Sequence, residues 1–367
     1  MSLLVGPRRT GKSVLLKQLG AKLIASGTSP SQILYFEFKQ SDSPEIIRDI
    51  WEYFTIEIAD PKIKYYLFFD EIQFVKDYEI EIKQLYDLKP EAKMFLTGSL
   101  SLTYKRRMSE SLAGRFLPFY LYPLSFAEYL VLTRNSELDN YRNLDNVSAG
   151  LRVSYLDNLN REFRRFLTGG RLPELATMKD ESFKIMYIQS VLNQSLSQDA
   201  FAYFQIEKPA VLTEIFNYVR VNPNSIINLT NLSKISSASK ETVSKYLDVL
   251  EVMRLIYPIY NSLSPFTKFN AARKVYTSSH FIDSKYDPQT SAGLLVESYI
   301  LERLLEQDRQ VTFFRRRNKE VDFILPKENL AYEIKFRRDF SAPPNPLPKN
   351  FELQVISATG NFPACLF

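Results

Sequence analysis

One cysteine (Cys365) and one histidine (His280) are all that the 367 residues hold of the two residue types that build most zinc sites. A disulfide framework is excluded, and so little cysteine points to a reducing compartment. The two together are too few for a Cys/His zinc centre. A Ser-His-Asp triad has only His280 to use, and His280 stands in "YTSSHF", which lacks the sharp turn that presents a nucleophilic serine. A catalytic metal must then be held by oxygen atoms, which suits magnesium or manganese. No apolar run approaches the ~20 residues that cross a bilayer. Nor does the chain open on a basic stretch followed by an apolar core. The expectation is a cytoplasmic protein that does not contact a membrane. A strong charge excess is missing too: the formal net charge of +5 permits a nucleic-acid partner without demanding one.

What is present is an ordinary globular composition, 45% hydrophobic and 24% charged, over a length that calls for two to four domains. The first strong signal is "GPRRTGKS": Gly, four residues, then Gly-Lys-Ser. In Gly6, Pro7, Arg8, Arg9, Thr10, Gly11, Lys12, Ser13 and the following Val14, the glycines let the backbone curl so that successive N–H groups face phosphate oxygens. Lys12 would reach the β/γ oxygens, and the Ser13 hydroxyl would ligate magnesium. "SLLV" before the loop reads as a strand and "KSVLLKQLGAKLI" after it as an amphipathic helix.

A second signal follows in order. "KYYLFFDEIQ" is the continuous apolar run of a strand buried on both faces, and it ends in Asp70 and Glu71. At this place an acid orders the magnesium shell and its neighbour polarises the attacking water. A third strand, "AKMFLTGS", ends in Thr97 and Ser99, whose hydroxyls would reach the γ-phosphate or the water. "ILYFEF" and "FLPFYLY" complete five strands with helical patterns between several of them. That is a parallel, doubly wound sheet with its ligand at the strand C-termini.

With these motifs, and with "TGSLSL" and "LAGRFLPFYLYPLSFAEYL" beyond them, the chain resembles the prokaryotic predicted ATPases of the AAA+ class that carry a restriction-endonuclease-like C-terminal domain. The resemblance covers nearly the whole chain. It implies ATP and magnesium as cofactors, and an arginine that senses the γ-phosphate in cis or across a homo-oligomer boundary. Arg115 matches that position, with Arg106 and Arg107 as rivals. "GGRLPEL" resembles a turn near the adenine, with one extra residue before Pro173. The resemblance departs at the front, where Met1 already stands in the first strand; a shortened start would leave the adenine pocket incomplete.

The resulting division is an ATPase core over 1–125, a helical lid over 126–205, a winged helix-turn-helix over 206–262 and a nuclease-like α/β domain over 263–367. In the third part, Leu229, Leu232 and Ile235 space one apolar face, and Val243, Tyr246, Leu247 and Leu250 the next, with Ser239 as a cap. If this module binds DNA, Ser237, Lys240, Thr242, Ser244 and Lys245 would face a groove; the alternative is a purely packing role.

In the tail, "GLLVESYILERLLEQ" reads as a helix whose stripe of Leu294, Leu301, Leu304 and Leu305 contains Glu297. The hairpin "EVDFILPKENLAYEIKF" then gathers Asp322, Glu333 and Lys335 on one face. Helix, strand and strand in this order resemble the PD-(D/E)XK nuclease motif. The resemblance implies metal held by Asp322 and Glu333, with Glu297 nearby and Lys335 steering the nucleophile. Arg315, Arg316 and Arg317 suit a phosphate backbone. Three readings stay open: an ATP-regulated nuclease, a nucleotide-operated switch that recruits protein partners and cuts nothing, and an inert remnant.

Overall fold

The computed structural model describes residues 1–39, 42–43, 45–59, 64–98, 115, 117–143, 146, 148–204, 206–262, 273–281, 288–317, 319–335 and 351–357. The chain forms two compact units, Met1–Pro123 and Leu124–Phe367.

The first unit alternates strand and helix. β1 (Ser2–Val5) leads through the glycine loop into α1 (Lys12–Ala25). β2 (Ile33–Glu37), α2 (Ile46–Tyr53), β3 (Tyr66–Asp70), α3 (Tyr78–Leu88), β4 (Lys93–Gly98) and β5 (Leu117–Tyr120) follow. The five strands are all parallel in the order β2-β3-β4-β1-β5. β3 has a strand on each side, and Leu67, Phe68 and Phe69 are all buried, so both its faces are covered and the run does not alternate. β5 is one of the two edge strands and keeps all four residues exposed. β4 stands between β1 and β3, so Leu4 pairs with Thr97 while Phe69 pairs with Leu96. This register puts Asp70 beside Thr97, and Thr97 beside the residue pair that leads into Gly6.

The second unit opens with α4 (Phe126–Leu132), α5 (Ala149–Arg165) and α6 (Glu181–Gln194). The Pro-Leu-Ser-Phe-x-Glu element is the N-terminus of α4. Ser125 caps it, the Glu128 carboxylate accepts from the Ser125 N–H at 2.8 Å, and Phe126 turns inward. Next come α7 (Pro209–Val221), β6 (Ser225–Ile227), α8 (Leu229–Ile235), α9 (Lys240–Val252), β7 (Ile256–Tyr260) and β8 (Arg273–Thr277). The three strands form an antiparallel sheet in the order β6-β8-β7. Last are α10 (Pro288–Glu306), β9 (Thr312–Arg316), β10 (Lys319–Leu325), β11 (Leu330–Lys335) and β12 (Glu352–Ser357), the strands ordered β12-β11-β10-β9.

Four expectations change here. The helices expected as a separate lid share one core with the tail: Phe126, Phe163 and Phe166 of the first stretch pack with Tyr299, Phe323 and Ile334. Tyr299 sits edge-on to Phe163 at 5.4 Å and to Phe166 at 5.3 Å. The boundary at 262 also divides a sheet, because β8 lies beyond it and is the central strand of the three-stranded sheet. In α8, Ile235 is 47% exposed rather than part of the apolar face. In α9, Ser244 is buried and accepts a hydrogen bond from Arg273 Nη2 at 3.2 Å, so it is not offered to a groove. Ser239 does cap α9, accepting from the Thr242 N–H at 3.1 Å.

Candidate functional site

The glycine loop of the first unit is shaped by steric necessity. A Cβ on Gly6 would lie 2.2 Å from the Leu121 carbonyl oxygen, so no side chain fits there. Gly11 has φ 98° and Arg9 φ 64°, the sign alternation that turns consecutive amides toward one point. Gly11 is also the residue before α1, and no side chain caps the helix, whose first-turn N–H groups are therefore left for a ligand. Thr10 Oγ1 donates to the Pro7 carbonyl at 2.9 Å and tightens the curl. The Lys12 ammonium is buried and donates to the carbonyls of Gly6 at 3.1 Å and Pro7 at 2.9 Å. Ser13 is half-buried behind it, and Val14, at 57% exposure, follows on the outer face of the helix.

Asp70, at the end of β3, is fully buried with both carboxylate oxygens engaged. Thr97 Oγ1 donates to Oδ1, and Tyr35 OH donates to Oδ2 at 2.7 Å. Burial and the Asp70 carboxylate hold the Tyr35 phenol far above its ordinary range, so it stays a donor. Thr97 also accepts from the Glu71 N–H at 3.0 Å. Glu71 adopts the left-handed conformation (φ 56°, ψ 40°), a strained choice for a residue with a Cβ, and its carboxylate accepts from Gln73 Nε2. The expected role of Thr97 is thereby corrected: its one hydroxyl hydrogen is committed to Asp70, so it holds the acid in place instead of donating to phosphate. Tyr35 was not singled out in the sequence, because it reads there as one more apolar strand residue.

Adjacent strands lie ~4.8 Å apart, so the ends of β1 and β3, with β4 between them, are separated by about 10 Å of backbone. Lys12, Ser13, Asp70, Glu71 and Thr97 all belong to this end of the sheet. The donors, one hydroxyl (Ser13) and one carboxylate (Asp70) beside a loop of amides, fit a magnesium ion that keeps most of its shell as water and phosphate. Arg115 is elsewhere. The Met1 ammonium donates to its carbonyl at 3.1 Å, and its guanidinium pairs with Asp87 at 3.4 Å near the end of α3. That is the opposite end of β1 from Gly6, so the expectation that Arg115 senses phosphate in cis is overturned. Ser99, Arg106 and Arg107 lie outside the described residues.

In the second unit, Pro173 opens a short helical turn (Pro173–Thr177) after Arg171. Arg171 is wholly buried and pairs with Glu302 and, at 3.6 Å, with Glu306 of α10. It also donates to Ser279 Oγ at 2.9 Å and lies over the Tyr299 ring at 4.8 Å. Glu302 accepts from the Ser279 N–H at 2.6 Å and Ser278 Oγ at 3.1 Å. Burial, with Arg171 nearby, holds the His280 imidazole down to about 3. This network is structural, and α10 buries Glu302 together with Leu301 and Leu304 of the expected leucine stripe, while Leu294 and Leu305 are only half-buried.

The tail brings Glu297, Asp322, Glu333 and Lys335 into mutual electrostatic range, as the strand pattern implied. Burial and Glu297 lift the Asp322 carboxyl to about 6, and burial and Asp322 lift that of Glu333. Lys335 pairs with Glu333 at 2.6 Å. Among the described residues no group of three or more His, Cys, Asp or Glu is placed to hold a metal ion. A residue absent from the sequence reading, Lys274 of β8, lies among the acids instead, within 2.9 Å of Glu297, 2.9 Å of Glu320 and 3.4 Å of Asp322. Arg315, Arg316 and Arg317 are exposed at the end of β9, with Arg315 3.7 Å from Glu320. Also among the described residues, no helix is long and apolar enough to cross a membrane.

Together, the five-stranded parallel sheet and its glycine loop define a phosphate-loop α/β fold for the first unit. Residues 1–130 match the model of an AAA domain family, and residues 160–282 match that of a domain of unknown function (DUF8612). An uncharacterized protein of Haemophilus influenzae is 25% identical over 348 residues, 90% of this chain and 82% of its own length. Two uncharacterized proteins of Methanocaldococcus jannaschii are similar as well. MJ1637 is 29% identical over 74% of this chain, which spans 59% of its length, and MJ1544 is 26% identical over 91% of this chain and 75% of its own. Solved structures overlap loosely. A DNA polymerase III gamma subunit-related protein of Thermotoga maritima gives a TM-score of 0.30 at 11% identity, over 69% of this chain and 94% of its own. The Bacillus subtilis DNA clamp loader delta protein gives 0.29 at 8%, over 82% and 89%. Overlaps this loose assign nothing.

Proposed function

We propose that the first unit binds and hydrolyses ATP with magnesium. The observation that carries this is the buried Asp70 carboxylate, gripped by Thr97 and Tyr35 at the same sheet end as a loop whose Gly6 has no room for a Cβ; the AAA-domain match over residues 1–130 supports it. Magnesium, when bound, neutralises charge on the β- and γ-phosphates. Lys12 serves as the phosphate cation, and Ser13 and Asp70 orient the metal shell. Glu71 holds the attacking water, aimed by the backbone turn that Thr97 fixes through the Glu71 N–H. Arg115, remote from this cradle, is left only a role on a neighbouring copy's nucleotide in a homo-oligomer.

The second unit is proposed to dock nucleic acid, through Lys240 and Lys245 on the exposed side of a winged helix and Arg315 to Arg317 on a nuclease-like sheet. The rival reading, a nucleotide-operated switch that cuts nothing, is favoured by one observation: an ammonium already sits among the tail's acids. Calorimetric titration with ATP and magnesium tests the main proposal. Wild type should bind, Lys12→Ala should lose binding at least tenfold, and Glu71→Gln should bind but not turn over. Equal binding by wild type and Lys12→Ala would overturn it.

A further inference from the structure

The acids of the tail form a cluster whose oxygen atoms are almost all spoken for. Glu297 Oε1 accepts from Lys274 Nζ and from Tyr276 OH at 2.7 Å, and its Oε2 accepts from Asn224 Nδ2 at 3.4 Å. Asp322 Oδ1 faces Lys274, and its Oδ2 accepts from the Ile334 N–H at 2.9 Å. Glu320 reaches Lys274 with Oε1 and Arg315 with Oε2. One oxygen is left over: Glu333 Oε2 is buried with no hydrogen-bond partner, on a residue only 6% exposed.

Lys274 is held where it is. It lies in β8, paired with Ile226 on one side and Ile259 on the other, so its backbone cannot drift. Its side chain is 6% exposed, and the ammonium lies 5.3 Å from the centre of the Tyr276 ring. Four carboxylates (Glu297, Glu320, Asp322, Glu333) face three cations (Lys274, Lys335, Arg315). The cluster is thus near charge balance from within the chain, and a doubly charged ion placed among the same oxygens would meet the ammonium at close range.

We propose that Lys274 is the resident cation of this cluster and keeps divalent metal out of it. The proposal concerns the second unit alone and stands whether or not the first unit binds ATP. Removing the ammonium frees Glu297 and Asp322 to join the open Glu333 oxygen around a metal ion.

The test is Mn²⁺ binding to the nucleotide-free full chain, counted by electron paramagnetic resonance. Wild type and Asp322→Ala should bind the same number of Mn²⁺ ions. Lys274→Met should bind one more, at least tenfold more tightly than any site at the cluster in wild type, and Lys274→Met with Asp322→Ala should lose it. A Mn²⁺ site in wild type that disappears in Asp322→Ala would overturn the proposal, as would a folded Lys274→Met that gains nothing. Should Lys274→Met not fold, acylation of wild-type lysines read by mass spectrometry decides. Lys274 should stay protected with and without Mn²⁺; labelling that rises several-fold on adding Mn²⁺ would show metal displacing it.

Discussion

Replacing Thr97 by valine keeps the side chain's volume and removes one hydroxyl that serves two partners. That hydroxyl donates to Asp70 Oδ1 and accepts from the Glu71 N–H at 3.0 Å. Thr97 and Asp70 are both fully buried, so water cannot take its place. A hydrogen bond to a charged group is worth ~1.5–3 kcal/mol and a neutral one ~0.5–1.5 kcal/mol. The added methyl returns about 0.8 kcal/mol of apolar burial. The net loss is about 1–4 kcal/mol, all of it in the first unit. The chain's one tryptophan, Trp51, reports on that unit, lying in α2 edge-on to Tyr65 at 5.7 Å. Urea unfolding followed by Trp51 fluorescence, with a slope of ~2 kcal/mol per molar, should show the midpoint falling by about 0.5–2 M. ATP turnover should fall with it, since Glu71 loses the contact that sets its backbone turn. Tyr35→Phe alters the same carboxylate, so the two changes together should fall short of additivity. A Thr97→Val midpoint within about 0.2 M of wild type, with turnover unchanged, would refute the account of how Asp70 is held.

Two further outcomes concern the second unit. The native His280 imidazole, held down to about 3, stays neutral where the unfolded chain's histidine takes a proton near pH 6.5. Its contribution is therefore whole above ~6.5 and drains as pH falls toward the native value, by about 2 kcal/mol at pH 5. Because the chain has one histidine, its single set of ring proton resonances should not titrate between about pH 8 and 5; a midpoint near 6 would contradict the buried network. Arg171→Met strands the buried Glu302 carboxylate and should cost ~3–5 kcal/mol in thermal unfolding followed by near-ultraviolet circular dichroism. Adding Glu302→Gln should recover much of that, and a single-variant cost below ~1 kcal/mol would mean the pair is not what anchors α10.

The glycine loop was legible because its shape is fixed by contiguous spacing: Gly6, Gly11, Lys12 and Ser13 need only each other to be recognised. The buried strand ending in Asp70 was legible because a run apolar on both faces has few other uses. What was missed depends on neighbours distant in sequence. Lys274 stands 23 residues before Glu297 and 48 before Asp322, in a different sheet, and nothing local marks it as their counterion. Tyr35 satisfies strand patterning whether or not its hydroxyl finds a partner, and only the β2–β3 register shows that it does. Glu302 was passed over because a leucine stripe predicts one buried helix face, while α10 is buried on several. Ile235 and Ser244 went the other way, since helical periodicity assigned each to the face it does not occupy.

The pooling of Phe126, Phe163 and Phe166 with Tyr299, Phe323 and Ile356 sets an order on events during synthesis. The sheet of the first unit is complete once Tyr120 has left the ribosome, so it can close while most of the chain is still being made. The aromatic side chains that come next must wait for partners more than a hundred residues downstream. In that interval they are sticky surface, and a nascent chain of this design depends on finishing quickly or on a chaperone to shield it.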